Sequence, residues 1–282
     1  MPEVNPAYFL CYEAAAAELP YDPLQVLPGI KVQQITDFRH FCKALLQQPS
    51  PTVRWVLWLD AQGLGIREVA ASPPGPVRVD LLDTRMQWRL HHGGVRSELL
   101  ARACGLHRQT QDRPVSICDA TTGWATDAAL LAWHGAEVWL CERSPLMRLL
   151  LADGFRRASQ HDSWKTWGER LHWVGQEACA WLNAQPEKNV DIVYLDPMFP
   201  ERQKKARVKK EMIVLQHMLA DEFMPANESE LLQAAFRAAA KKIVVKRPKS
   251  APFLTNLPPD QQIEGQSARF DIYLPSLQRI NC

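Results

Sequence analysis

The fold is decided by one stretch of the sequence, DIVYLDPMFP at residues 191–200. The run at 192–195 is apolar, β-branched and aromatic, which predicts a buried strand. Asp196-Pro197 ends it, because proline has no N–H for a sheet ladder and fixes its own backbone angle. A carboxylate, several carbonyl groups and the ring of Phe199 therefore follow the carboxyl end of a strand, where open parallel α/β sheets bind ligands.

These groups suit a planar molecule that carries an amino group. The Asp196 carboxylate and the Pro197 carbonyl can accept the two N–H bonds of the amine, while the Phe199 ring stacks on its face. The same ten residues are equally consistent with an ordinary strand exit, in which Asp196 caps a turn and Phe199 packs. The neighbouring strands have to decide between these two interpretations.

Strands and helices alternate from Val115 onward, which predicts an α/β fold with a doubly wound, mostly parallel sheet. We expect this domain to occupy residues 77–282 and to include a basic bridging segment at 85–105. Residues 1–76 read as a small N-terminal α+β lobe, and Val77–Leu82 alternates like one more strand. The strands predicted for the sheet are Val115–Asp119, Glu137–Cys141, Leu171–Gly175, Val190–Leu195, Lys242–Lys246 and Phe270–Leu274.

The composition limits where the protein works. The seven cysteines are odd in number and scattered, without a Cys-x-x-Cys pair, so we expect a reducing compartment rather than disulfides or a zinc site. The histidines lack the spacing of metal ligands, and no bound metal is expected. No apolar run approaches the roughly 20 residues of a membrane span, and no signal peptide pattern opens the chain. The sequence therefore predicts a cytoplasmic protein without a membrane partner.

The first predicted strand of the sheet ends in Asp119 and turns through small residues to Gly123 before a helix. Nucleotide-binding α/β proteins place a glycine-rich turn there, because the ligand approaches the backbone closely. Glu142 ends the second strand, at about the 20-residue spacing of an acidic residue that binds ribose hydroxyls. A single glycine in the turn favours a nucleoside without phosphates, and S-adenosylmethionine is such a ligand. With the Asp-Pro turn of the fourth strand, this is the layout of an amino-group methyltransferase.

Two basic clusters flank these strand ends, one within residues 201–211 and one within 237–249. The net charge of +2 is close to neutral, so a surface for a polyanion must come from local clustering of this kind. Phosphate contacts dominate the affinity of proteins for nucleic acids, and the clusters therefore indicate such a partner. The basic residues expected to contact RNA are Lys204, Lys205, Arg207, Lys209, Lys210, Lys246 and Arg247.

Several motifs together resemble the RsmJ family, the bacterial 16S ribosomal RNA guanine-N2 methyltransferases. The matching segments are DATTG at 119–123, TDA at 126–128, ERSP at 142–145, YLDPMFP at 194–200, KKEM at 209–212, VKRP at 245–248 and FDIY at 270–273. The resemblance covers roughly residues 78–275 and is specific, because DPMFP followed by KKEM is unusual among methyltransferases. It implies a class I (Rossmann-like) fold, S-adenosylmethionine as methyl donor, and a guanine 2-amino group in the rRNA of the 30S subunit as acceptor.

The resemblance also assigns residues to the cofactor. The contacts that it implies fall on Thr126, Asp127, Glu142, Arg143, Glu177, Ala178 and Asp196. Two places depart from the family pattern. Ala125 and Thr126 stand where the family has a second glycine and an arginine, and Glu177-Ala178 stand where it tends to have serines.

Two alternatives remain open at the level of sequence. An adenine-N6 methyltransferase acting on DNA or RNA could use the same Asp-Pro-x-aromatic turn, although the separate target-recognition region usual for the DNA enzymes is not evident. A catalytically silent RNA-binding protein would keep the basic clusters but would not bind the cofactor at the altered turn 124–126. A digest of the methylated nucleic acid to nucleosides distinguishes the first alternative from a guanine-N2 methyltransferase. Calorimetry with S-adenosylmethionine distinguishes the second, because a silent protein would give no heat of binding.

Overall fold

The computed structural model describes residues 9–13, 31–47, 53–108, 113–197 and 228–276. These residues form two compact units. The first unit contains the described residues up to Asp80 and the segment Pro145–Gln160, and the second contains the remaining described residues. Within the described residues, the chain thus leaves the first unit at Asp80 and returns to it for one helix. The sequence-based domain boundary near residue 76 stays a prediction.

The elements alternate along the chain from residue 116 onward, as the sequence predicts. In chain order they are β1 (Phe9–Tyr12), β2 (Lys31–Gln34), α1 (Phe38–Leu46), β3 (Trp55–Asp60), β4 (Gly63–Glu68), α2 (Thr84–His92), α3 (Leu99–Cys104), β5 (Ser116–Asp119), α4 (Thr126–Trp133), β6 (Glu137–Leu140), α5 (Pro145–Ala158), β7 (Leu171–Trp173), α6 (Ala178–Ala184), β8 (Val190–Leu195), α7 (Glu228–Ala238), β9 (Ala239–Pro248), β10 (Gln261–Glu264) and β11 (Ala268–Tyr273).

The first unit contains a four-stranded sheet in the order β2-β1-β3-β4. β3 and β4 form an antiparallel hairpin, whereas β1 lies parallel to β2 and β3. Helix α5 belongs to this unit through Asp153, a fully buried carboxylate that accepts a hydrogen bond of 2.8 Å from the Leu64 N–H of β4. Arg156 and Arg157 of the same helix also donate to Asp153, so its buried charge is compensated.

The strand predicted at Val77–Leu82 is wrong. Val77 forms only an isolated antiparallel bridge with Ile66, in which each residue donates its N–H to the other's carbonyl at 2.8 Å. The alternating apolar residues of this segment serve another purpose, because Val79 packs closely against Gly154 of helix α5. The period-two pattern therefore reports burial of alternate side chains against a helix rather than membership of a sheet.

The second unit is built on a seven-stranded sheet in the order β10-β11-β9-β8-β5-β6-β7. The five strands from β9 to β7 run parallel, and β11 and β10 add to them antiparallel. All six residues of β8 are buried, as expected for a central parallel strand. The predicted doubly wound α/β fold is confirmed, and all six strands predicted for its sheet are present.

One strand of this sheet escapes prediction. β10 has the sequence QQIE and three exposed residues out of four, so it carries no apolar run that could announce a strand. In the described sheet it is an edge strand whose single partner is β11. In the described part of the chain, no helix is long and apolar enough to cross a membrane.

Candidate active site

The carboxyl ends of four adjacent parallel strands meet in the second unit. β5 lies between β6 and β8, so the strand order reverses at this point and opens the crevice in which such sheets bind ligands. Each strand end supplies a charged side chain: Asp119 from β5, Glu142 just beyond β6, Asp196 just beyond β8, and Lys246 from β9. Since Leu195 pairs with Val245, Asp196 and Lys246 emerge at the same level of the sheet.

The turn after β5 is held by short polar contacts. Asp119 is almost fully buried, and one of its carboxylate oxygens accepts the Thr121 N–H at 3.1 Å. Burial raises the pKa of the Asp119 carboxyl well above its usual range, and the nearby carboxylates raise it further. Gly123 and Ala125 both adopt left-handed backbone angles, with φ of 50° and 56°, before helix α4 begins at Thr126.

Glu142 ties the end of β6 to this turn. Its two carboxylate oxygens accept hydrogen bonds from the Gly123 N–H at 2.9 Å and from the Ser144 N–H at 2.8 Å. Burial raises the pKa of Glu142, and these backbone donors oppose the rise by stabilising the charged form. The predicted pair Asp119 and Glu142 is thus brought together on either side of one turn.

A network of two carboxylates around one ammonium group links β8, β9 and α4. Nζ of Lys246 lies 2.8 Å from Oδ2 of Asp196 and 2.7 Å from Oδ2 of Asp127. The buried Tyr194 hydroxyl donates to the same Asp127 oxygen at 2.7 Å. The backbone N–H of Asp196 donates to Oγ1 of Thr121 at 2.6 Å. Oδ1 of Asp196 has no hydrogen-bond partner among the described residues.

The pKa values of the two carboxylates in this network shift in opposite directions. Burial opposes ionisation of Asp127, yet its pKa is lowered because Lys246, Tyr194 and Arg89 stabilise the charge. Burial raises the pKa of Asp196, and Lys246 only reduces that rise. The pKa of Lys246 is raised because the attraction of both carboxylates exceeds the effect of its burial. The ammonium group therefore stays charged at any physiological pH.

The sequence predicts other roles for three members of this network. It predicts that Lys246 borders the cleft as an RNA contact, that Tyr194 is a strand residue, and that Arg89 is part of a basic segment. Arg89 forms two hydrogen bonds with Glu98 and lies 3.9 Å from Asp127. The alternation of β8 could have identified Tyr194, because it places Tyr194 and Asp196 on the same face of the sheet.

The remaining cofactor residues of the prediction lie around the same strand ends. Thr126 is the exposed first residue of α4, and Arg143 follows Glu142 directly. Glu177 caps helix α6 by accepting the Ala180 N–H at 3.0 Å, and Ala178 is buried at the first position of that helix. The Glu142 N–H donates to the Gln176 carbonyl at 3.1 Å, so the chain before α6 lies beside the end of β6.

Part of the predicted acceptor site can be described. Pro197 is half-buried directly after Asp196. The proposed stacking ring and the first basic cluster lie outside the described residues, so their placement stays a prediction. These residues are Phe199, Lys204, Lys205, Arg207, Lys209 and Lys210.

The prediction that Arg247 contacts RNA needs correction. Its side chain is 2% exposed, and its Nε donates to the Pro252 carbonyl at 3.2 Å. Successive side chains of a strand point to opposite faces of the sheet, so Arg247 of β9 points to the face opposite Lys246 and into the protein. Lys246 is 30% exposed, but its ammonium group is held between two carboxylates rather than presented to a phosphate.

An open cavity of about 670 Å³ lies elsewhere in the second unit. None of the predicted site residues lines it. Its walls come from helix α2, the end of α4 and the turns before β7, and they include Gln87, His91, Trp133, His134, Trp167 and Arg170. Among the described residues, no cluster of histidine, cysteine or acidic side chains could hold a metal ion.

Similarity to known proteins covers the site. Residues 40–275 match a family model described as "Putative SAM-dependent methyltransferase". Ribosomal RNA small subunit methyltransferase J of Marinobacter nauticus is 39% identical over 77% of this chain and 77% of its own length. The protein of the same name from Thioalkalivibrio sulfidiphilus is 41% identical over 78% and 84%. A crystal structure of a SAM-dependent methyltransferase from Neisseria gonorrhoeae superposes with a TM-score of 0.67 at 25% identity, over 96% of this chain and 97% of that chain.

Proposed function

The chain belongs to the ribosomal RNA small subunit methyltransferase J family of SAM-dependent methyltransferases, and we propose that it methylates the exocyclic 2-amino group of a guanine in 16S rRNA. S-adenosylmethionine is the methyl donor of this family. The name of the relatives supports small-subunit rRNA as the substrate. One observation carries the amine as acceptor: Asp196 stands at the end of β8 with one carboxylate oxygen held by Lys246 and the other without a partner among the described residues.

The residues at the strand ends fit a cationic nucleoside cofactor. Asp119, Glu142, Asp127 and Asp196 converge on one crevice, and a site rich in carboxylates attracts a sulfonium cation. Glu142 stands where an acidic residue binds ribose hydroxyls, and Glu177 and Ala178 lie beside it. The cofactor supplies an activated methyl group when bound. The contribution of the protein is to hold donor and acceptor in line, which accounts for much of the rate in a direct transfer.

The acceptor side needs hydrogen-bond acceptors more than acid–base chemistry. The lone pair of an exocyclic amine is delocalised into the base, so two acceptors that hold its N–H groups make the nitrogen more tetrahedral and more nucleophilic. Oδ1 of Asp196 and the Pro197 carbonyl would be these acceptors. After transfer the nitrogen carries one proton too many, and the Asp196 carboxylate that accepts its N–H bond would receive this proton. Phe199 would stack on the base, which is worth ~1–3 kcal/mol per base.

The substrate also supports a cellular location. A protein that modifies 16S rRNA or the 30S subunit works in the bacterial cytoplasm, which is a reducing compartment. The cysteines agree with this location, since the six whose surroundings are described are all free thiols. Burial raises the pKa of Cys11 to about 12, and that of Cys104 likewise to about 12, so these thiols are inert core groups.

The test is methyl transfer to unmethylated RNA. Purified protein is incubated with labelled S-adenosylmethionine and 16S rRNA or 30S subunits from a strain that lacks the gene, and the RNA is digested to nucleosides. We expect label in N2-methylguanosine. Asp196→Ala should lower kcat roughly 100-fold or more, because the amine loses its positioning group. Asp162→Ala is the matched control, because Asp162 is an exposed carboxylate whose ion-pair partner among the described residues is the exposed Lys165.

The outcomes separate the alternatives. Label in N6-methyladenosine would replace guanine by adenine as the acceptor. No transfer together with no heat of binding for S-adenosylmethionine would leave an RNA-binding protein without catalysis. Full activity in the Asp196→Ala variant would contradict the role given to the end of β8.

A further inference from the structure

Helix α2 presents an exposed aromatic platform. The Trp88 side chain is 65% exposed, and its ring stacks on that of His92 with 4.8 Å between centroids and 15° between planes. The two residues are one helical turn apart and therefore share one face. Nδ1 of His92 lies 2.9 Å from the Trp88 carbonyl oxygen, which fixes the imidazole in the stack. The result is a flat ring surface open to the solvent.

The helix under this platform is held firmly. Asp83 caps its N-terminus by accepting the Met86 N–H, and Met86 and Leu90 are buried on its inner face. His91 packs edge-on against Trp133 with 4.8 Å between ring centroids. A surface that is fixed before binding loses less entropy when a ligand stacks on it, so the platform is preorganised for this purpose.

The charge around the platform is positive. Residues 84–97 contain three arginines and no acidic residue. Arg85 and Arg96 are exposed, and Arg85 lies one turn before Trp88 on the same face. The acidic residues that flank this segment are occupied, since Asp83 caps the helix and Glu98 binds Arg89. A polyanion with exposed planar groups complements both the charge and the aromatic surface.

Arg89, which follows Trp88 in sequence, connects the platform to the candidate active site. Arg89 lies 3.9 Å from Asp127, and Asp127 shares the Lys246 ammonium group with Asp196. Helix α2 thus carries Trp88 on its outer face and an active-site contact on the adjacent one. A nucleic acid bound along α2 would lie within a few side chains of the site of methyl transfer.

We propose that the aromatic platform of Trp88 and His92, with Arg85 one turn before it and Arg96 four residues beyond the end of α2, binds an unpaired segment of the RNA substrate next to the methylated guanine. An unpaired base stacks on Trp88, and the flanking phosphates pair with the two arginines. Unpaired nucleotides are required because bases within a helix do not expose their faces. This surface rests on the proposed function for the identity of its partner, but it is separate from the residues that hold the cofactor and the amine.

The test measures how substitutions at a single residue, Trp88, change the affinity for RNA. Full-length wild-type and variant proteins are titrated by fluorescence anisotropy with labelled oligouridine of about 12 nucleotides and with unmodified 16S rRNA. Trp88→Ala should weaken binding of both roughly 5- to 20-fold. Trp88→Phe, which keeps a ring, should restore most of the affinity. Trp88→Leu, which keeps the apolar bulk without a π face, should not.

Two further readouts distinguish a binding role from a structural one. In methylation assays, Trp88→Ala should raise the KM for 16S rRNA by the same factor as the Kd and leave kcat unchanged. Arg85→Ala and Arg96→Ala should each lower the slope of log Kd against log salt by roughly 0.7, as expected for one phosphate contact of a single strand. Lys165→Ala, which removes an exposed cation outside the surface, is the control and should leave the slope unchanged.

The following outcomes would contradict the proposal that this surface binds RNA. Trp88→Ala or Trp88→Leu binding RNA like the wild type would exclude stacking. Weaker binding to 30S subunits with unchanged binding to both naked RNAs would indicate a protein contact instead. If the wild type binds and methylates 16S rRNA and substitutions at Trp88 change neither property, only the proposal of an RNA-binding surface on α2 is wrong. If the wild type neither binds nor methylates the RNA, the proposed function is wrong as well.

Discussion

Lys246 controls the two carboxylates on which the site depends. Its ammonium group is the common partner of Asp127 and Asp196 at the carboxyl ends of the strands. Asp196 is a strong acceptor of N–H bonds, and can take up a proton from the amine, only while it is ionised, and burial works against that form. Thr121 also contacts Asp196, and the charges of Asp127 and Arg247 act on it from further away, but among the described residues Lys246 is the cation that contacts it.

Lys246→Met should make methyl transfer more sensitive to acid. Without the ammonium group the pKa of Asp196 rises, so the acidic limb of the kcat profile moves to higher pH. Lys246→Arg keeps the charge and should restore most of the wild-type profile. The measurement is kcat from pH 5 to 9 at saturating substrates. An unchanged acidic limb in Lys246→Met would show that Asp196 does not act through its charge.

We expect the buried Asp119 carboxyl to lower the free energy of unfolding while it favours binding of the cofactor. Its folded-state pKa is raised by burial, so the folded protein retains this proton more strongly than the unfolded chain does. For such a group stability falls as pH rises from the unfolded pKa, about 4, toward the folded one. Asp119→Asn removes this ionisation and should raise the free energy of unfolding at pH 8 by about 1 kcal/mol or more. The gain should shrink at pH 5.

Urea unfolding at both pH values checks the sign. The amide retains an oxygen that can accept the Thr121 N–H, so the turn geometry is preserved. Cofactor affinity should fall, because the carboxylate adds to the negative potential of the crevice. A variant that is less stable than the wild type at pH 8 would mean that the charged form of Asp119 has partners beyond those described.

At the level of elements, the turn between β5 and α4 is the least regular part of the site. Ala125 has left-handed backbone angles and is fully buried. A left-handed residue with a Cβ costs about 1–2 kcal/mol. Two backbone hydrogen bonds hold the turn in this shape. The Ala125 N–H donates to the Thr122 carbonyl at 2.8 Å, and the Ala129 N–H donates to the Ala125 carbonyl at 2.9 Å.

Ala125→Val should destabilise the protein by about 3 kcal/mol, because a β-branched residue is strained at positive φ and overpacks a buried site. Ala125→Gly is the matched control and should stay within about 1 kcal/mol of the wild type. It relieves the left-handed strain but loses a buried methyl group and makes the unfolded chain more flexible. Urea unfolding measures both. A stable Ala125→Val protein would show that the turn can adopt other angles.

The sequence predicts elements well where burial and periodicity agree. β8 has the predicted boundaries because every residue from Val190 to Leu195 is apolar or, like Asp191, paired inside the protein. Periodicity failed at Val77–Leu82, where alternate burial is produced by a helix, and at β10, where an edge strand has no apolar face. β10 pairs with β11, its neighbour along the chain. The partner that decides burial at Val77–Leu82 is a helix distant in sequence.

The site was predictable only in part for the same reason. Carboxylates at strand ends follow from strand assignment, and Asp119, Glu142 and Asp196 do converge. The bridge formed by Lys246 depends on the register between β8 and β9, which no local pattern specifies. A basic residue beside a nucleic-acid site was therefore assigned to phosphate, although its partners are carboxylates.

At the scale of the whole molecule, the cofactor should stabilise one unit selectively. Every described residue of the predicted cofactor site belongs to the second unit, whereas the β3–β4 hairpin belongs to the first. A ligand that binds only the folded state stabilises it by about 2.7 kcal/mol when present at 100 times its Kd. Amide hydrogens of β5, β6 and β8 that exchange through unfolding of this unit should then exchange roughly 100-fold more slowly.

Hydrogen exchange followed by mass spectrometry, with and without S-adenosylmethionine, measures this effect for each segment. We expect the hairpin β3–β4 to show a much smaller change than β5, β6 and β8. Glu142→Ala, which removes the side chain between the two strand ends, is the control and should abolish most of the protection at the same cofactor concentration. Equal protection of both units would mean that they unfold as one cooperative body, because linkage then reaches every amide whose exchange requires global unfolding.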